Sequence, residues 1–132
     1  MPRRVSIDMP GFSHANPIPA ASRIGNLMLS GVITGRPAGG EMPAGLSEQV
    51  AAVFAHVRTL MSAAGGSTDD IIKMTFWLAD YRDREALNRE WLAMFPDSSS
   101  RPARQAMHAS LDGGCLIQCD LVAVLDDPPT AP

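Results

Sequence analysis

The chain has 132 residues, enough for one domain with its own core and no need of disulfide or metal staples. With 45% hydrophobic and 19% charged residues and a formal charge of −3, it has the composition of a globular protein without the basic stripe that phosphate backbones attract. No apolar run approaches a membrane span. We expect one domain over residues 1–132, no nucleic-acid partner and no membrane segment. The opening "MPRRVSIDMPG" carries two arginines with no apolar stretch behind them, so no secretory signal is expected and the expected compartment is the cytoplasm.

Taken in chain order, "NLMLSGVITG" (residues 26–35) is a short apolar run that predicts a strand leading into the turn-rich "RPAGGEMPAG". Between Ser47 and Gly65 the residues Val50, Val53, Phe54, Val57, Leu60, Met61 and Ala64 recur at helical spacing, with Gly65 as the stop. His56 falls on the polar side of that helix and is expected in solvent. Asp69 and Asp70 suit a cap for the following turn rather than a catalytic dyad.

"IIKMTFWLAD" alternates Ile72, Met74, Phe76 and Leu78 against Ile71, Lys73, Thr75 and Trp77, the pattern of a strand buried mainly on one side. A second helix is expected after Asp80 as N-cap, with Leu87, Trp91, Met94 and Phe95 on one stripe and Pro96 ending it. Two strands follow, near 103–111 and 115–125, joined by "DGG", a hairpin signal. The tail 126–132 is expected to fray. This order makes an α+β domain with its helices on one sheet face.

The two cysteines, Cys115 and Cys119, would stand about 13 Å apart in a strand at ~3.3 Å per residue, too far to bridge. Packing is their expected role, and no metal site is expected. If residues 112–114 form a three-residue loop, Met107, Ala109, Leu111, Cys115, Ile117, Cys119 and Leu121 share an apolar face. Arg104, His108, Gln118 and Asp120 then share the other, with Ala106 facing Asp120. A carboxylate in an apolar strand such as "CLIQCDLVAV" needs a partner or water. Two readings are open: a structural Arg104–Asp120 ion pair, or a site in which Arg104 clamps a ligand carboxylate and Asp120 orients water.

The ordered pieces "IGNLMLSG", "AAGGSTDDIIKMTFWLAD", "LNREWLAMF", "RPAR" and "CLIQCDLVAV" resemble the RidA/YjgF/UK114-like family, also labelled endoribonuclease L-PSP. The resemblance implies a chorismate-mutase-like (bacillar) α+β fold, with a mixed β-sheet and two helices packed on one face, assembled as a homotrimer with sites between subunits. It implies hydrolysis of reactive 2-imino or enamine acids to 2-keto acids and ammonia, with no cofactor and no metal. The roles it implies are Arg104 on the substrate carboxylate, Asp120 on the attacking water, and Ser30, the Gly31 backbone and Asn88 lining the pocket. Ile18 stands where the family has a tyrosine, Ala106 where it often has a cysteine, and Asp120 where it has a glutamate. His14, in "FSHANP", is expected near the pocket lip, and His108 at an interface. The rival function is a non-catalytic module that binds small carboxylates or a protein in the same cleft; RNA cleavage has no support in the charge balance.

Overall fold

The computed structural model describes residues 3–80 and 82–126. Seven strands form a mixed sheet: β1 (Val5–Ile7), β2 (Ala21–Ile24), β3 (Leu27–Ser30), β4 (Ile33–Thr34), β5 (Ile71–Leu78), β6 (Ala103–His108) and β7 (Ile117–Val124). Two helices, α1 (Leu46–Ala63) and α2 (Glu85–Met94), complete the core. The strand order is β1-β2-β3-β7-β5-β6, and β4 continues β3 along β7. The apolar stripes of α1 and α2 cover one sheet face, where Phe54 of α1 stacks on Phe76 of β5 at 5.8 Å and Trp91 of α2 meets Phe76 edge-on. This is the α+β arrangement with helices on one face. The expected fraying of the tail concerns residues 127–132, which lie outside the described residues.

The first helix ends as its sequence predicts. Gly65, at φ +80, turns the chain so that its N–H donates to Ser62 O and Gly66 N–H donates to Met61 O, a Schellman cap. Ser67 and Asp70 then cap a short 3₁₀ turn reciprocally, the role expected of the acidic pair. The second helix starts later than expected. Its N-cap is Arg84, and Asp80 instead accepts from the Arg82 backbone and side chain in the preceding loop.

The expected hairpin does not form. Gly113 and Gly114 do adopt positive φ and Cys115 N–H closes the turn on Asp112 O. The strands on either side, however, are separated by β5, which pairs with β6 in parallel and with β7 antiparallel. The physical reason is burial: Met74, Phe76 and Leu78 are at most 1% exposed, and so apolar a strand gains more in the sheet centre than at an edge. A helix between two parallel strands is the ordinary crossover, and α2 supplies it.

Three further differences follow from register. β1 and β2 were not foreseen; they enter through a two-residue turn, Gly25–Asn26, with Gly25 at φ +56 and Ile24 paired to Leu27. The 26–35 run is two strands, broken at Gly31 and Val32. A bulge between Ile71 and Lys73 also turns Ile71 inward, 4% exposed, and leaves Ile72 out at 51%.

Candidate active site

The sheet has two faces, and the charged residues of interest divide between them. Arg104 pairs in register with Met74, a core residue beneath the helices, so its side chain leaves on the helix side. There its guanidinium carbon lies 5.1 Å from the centre of the Trp91 ring on α2, a cation–π contact. Asp120 pairs with Thr75, which pairs with Gln105, and all three face the open side. Arg104 and Asp120 therefore sit on opposite faces with β5 between them, and the same-face ion pair is ruled out within one chain. The same register places Met107 with Trp77 and Gln118 on the open face, not with Cys119, and puts His108 on the helix side at an exposed strand end.

Around Arg104 the surroundings are cationic. Burial lowers its pKa first, and the neighbouring Arg84 lowers it further. Neither ion pair found among the described residues involves it. Ala106, two residues along the same face, packs against the core. Asn88 is exposed on α2, one turn from Trp91, and so belongs to this edge.

Ser30 and Gly31 belong with Asp120. The break between β3 and β4 falls opposite Asp120 and Leu121, and there a side chain replaces the missing ladder bond. The Ser30 hydroxyl accepts from Leu121 N–H at 2.9 Å and donates to Gly31 O at 2.8 Å, while Gly31 N–H donates to Ala20 O. Ser30 thus holds the strand on which Asp120 stands. Partial burial pushes the Asp120 carboxyl above its ordinary value, against a smaller opposing pull from Lys73.

Beside this region lies a cavity of about 680 Å³ lined by Ile18, His14, Thr34, Arg36, Gln118 and Asp112, among others. His14 packs edge-on to Phe12, and its buried Nε2 has no hydrogen-bond partner. The cavity wall is tied to α1 more closely than the sequence shows. His56 Nδ1 donates to Thr34 O at 2.8 Å and its ring lies against Phe12, so it is not a solvent histidine. A Cβ on Gly35 would come within 2.9 Å of Gln49 O, so only glycine allows β4 this close to α1.

Gln49, fully buried, donates to Pro43 O and Gly114 O and accepts from Leu116 N–H, clasping the two loops that border the cavity. Its position on the apolar stripe of α1, three residues after Leu46 and four before Val53, is the signal that marks it.

Cys115 and Cys119 are buried and unpaired, and burial raises both thiols, which fits packing rather than reactivity. Among the described residues no group of three His, Cys, Asp or Glu side chains is placed to hold a metal ion, and no helix is long and apolar enough to cross a membrane.

Comparison with known proteins places this arrangement. The 2-iminobutanoate/2-iminopropanoate deaminase of Escherichia coli K12 is 31% identical over 104 residues, covering 76% of this chain and 81% of that protein. A RutC family protein of Pyrococcus horikoshii is 33% identical over 110 residues, 81% of this chain and 86% of the relative. Among solved structures, yeast Mmf1 superposes with a TM-score of 0.83 at 20% identity, covering 93% of this chain and 99% of that one. The Rid protein YyfA of Yersinia pestis gives 0.84 at 17% identity, covering 92% and 99%. A sequence model described as endoribonuclease L-PSP matches residues 13–125, and with the relatives and the shared fold this makes the chain a member of the RidA/YjgF, or endoribonuclease L-PSP, family.

Proposed function

We propose that the chain hydrolyses 2-imino acids to 2-keto acids and ammonia in clefts formed between copies of itself, three in the assembly that the family resemblance implies. The observation that carries this reading is Arg104: a half-buried guanidinium on Trp91, beside a second arginine, with no anion paired to it among the described residues. Such a cation is stabilised by a carboxylate held through two parallel hydrogen bonds. A substrate carboxylate supplies one.

The second half of the site comes from the open face of a neighbouring copy. Ile24, Leu27, Leu29 and Val124 cluster there at 40–50% exposure, apolar area of the kind that soluble chains cover with a partner. Docking that face against the β6 edge would bring Asp120, Ser30, Gly31 and Ile18 of one copy toward Arg104, Asn88 and Ala106 of the next. Asp120, its pKa raised by burial, takes a proton from water as the water oxygen bonds to the imine carbon. The imine enters protonated and becomes a carbinolamine; Asp120 returns its proton to the amino nitrogen, and as the C–N bond breaks the hydroxyl passes its own proton to Asp120, leaving the keto acid and ammonia. The relative named as a 2-iminobutanoate/2-iminopropanoate deaminase supports this reaction class.

A second reading, a non-catalytic carboxylate-binding module, is favoured by Ser30, whose hydroxyl both donates to and accepts from the backbone, and by Ile18 in the place of a tyrosine. Ammonia release from freshly generated 2-iminopropanoate separates the two. Deamination by the wild type and its loss in Arg104→Ala is the expected result; keto-acid binding without ammonia release at any enzyme concentration would establish the module.

A further inference from the structure

We infer that the cavity behind Ile18 receives a second acidic group, so that the preferred substrates are 2-imino dicarboxylic acids rather than the short monocarboxylic ones. This rests on the proposed function and specifies its substrate class. The cavity, about 680 Å³, falls within the roughly 300–1,000 Å³ of pockets that enclose drug-sized ligands, more than a three- or four-carbon acid fills. It adjoins the proposed reaction centre: a Cβ on Gly31 would stand 3.9 Å from His14 Nε2. Ile18, in the cavity wall, carries no hydroxyl to close it off by hydrogen bonding.

Its polar equipment suits an anion. His14 Nε2 is buried there without a partner, and an orphaned buried ring nitrogen is stabilised by a ligand that bonds it. Arg36 lines the same space. Its Nε donates to Gly40 O, which fixes the guanidinium plane, and its terminal amines bond no described residue. Ser110 and Gln118 add neutral hydrogen-bonding groups, and Asp112 is the one carboxylate in the lining. A distal carboxylate that takes a charge-assisted bond from Arg36 and engages His14 satisfies both.

The test is calorimetric binding of two five-carbon keto acids that differ only in the distal group, 2-oxoglutarate and 2-oxopentanoate, to the wild type, Arg36→Gln, His14→Gln and Arg104→Lys. We expect 2-oxoglutarate to bind the wild type about tenfold more tightly, the order of one charge-assisted hydrogen bond. That preference should fall toward unity in Arg36→Gln and His14→Gln, while Arg104→Lys weakens both acids and keeps the preference. Equal binding of the two acids to the wild type, or a preference that survives both cavity substitutions, overturns the inference and leaves the proposed function standing. Failure of both acids to bind the wild type overturns both readings.

Discussion

The β6 edge and the open sheet face are complementary in what each lacks. At the edge, Arg104 lies against Trp91 with Arg84 nearby, and no acid among the described residues pairs with Arg104. On the open face, Asp120 sits partly buried, its proton affinity raised, with only Lys73 opposing the shift. A single chain holds a cation that needs an anion and a carboxylate that needs water or a partner, on opposite sides of β5. In the assembly proposed above, a second copy supplies each of these charges with what its own chain does not.

The largest expected effect tests the open-face half. Asp120→Asn should cut imine hydrolysis by about 10²–10⁴-fold, the range for loss of a general acid–base group, while keto-acid binding through Arg104 persists. Its melting temperature should not fall, because Asp120 is not the ion-pair partner of Arg104 in the chain. The sign follows from the shift: a carboxyl whose pKa is raised on folding stabilises the fold relative to its ionised form below its unfolded value, near 3.8, and loses that contribution as pH rises through the folded value. The wild type should therefore lose stability relative to Asp120→Asn on going from pH 3.5 to pH 7, measured by thermal melts across ~pH 3.5–7. A wild type that gains on the variant over that window would mean that an unseen cation pairs with Asp120.

Next in size is the scaffold beside the cavity and the open face. Gln49→Leu should destabilise by roughly 2–5 kcal/mol, because Pro43 O, Gly114 O and Leu116 N–H lose their common partner. Urea unfolding reads it directly. Ser30→Ala should cost about 1–3 kcal/mol by stranding Leu121 N–H, and a wild-type midpoint would show that the hydroxyl is free for a ligand instead. The smallest effect sharpens the edge half: Arg104→Lys should weaken 2-keto acid binding nearly as much as Arg104→Ala, since an ammonium cannot form the planar fork. Binding like that of the wild type would reduce Arg104 to a point charge.

Both helices and the central strand were legible because their signals are local. α1 and α2 rest on 3.6-residue periodicity, and Gly65 ends α1 through its own backbone conformation. Pairing was not legible in the same way. "DGG" makes a real turn, but whether the flanking strands meet depends on where Ile71–Leu78 finds burial, a decision made some 30 residues away in sequence. The glycine-first two-residue turn in "IGNL" joins β2 to β3 and was not foreseen either. For the site, Arg104 and Asp120 stood out as charges in apolar strands, and that much needed no structure. Their separation by β5, the backbone duty of Ser30 and the clasp made by Gln49 depend on contacts between distant segments.

In the proposed assembly one active site takes Arg104 from one copy and Asp120 from another. Mixing Arg104→Ala and Asp120→Asn chains, by co-expression with two purification tags, puts that division of the site to the test. Each variant alone should be inactive in releasing ammonia from 2-iminopropanoate. The mixed assemblies, selected through both tags, should recover about one third of wild-type activity, because a closed ring of three that holds both chains has one interface that pairs the two intact halves. Mixed assemblies no more active than either parent would contradict the claim and return both residues to roles within their own chain.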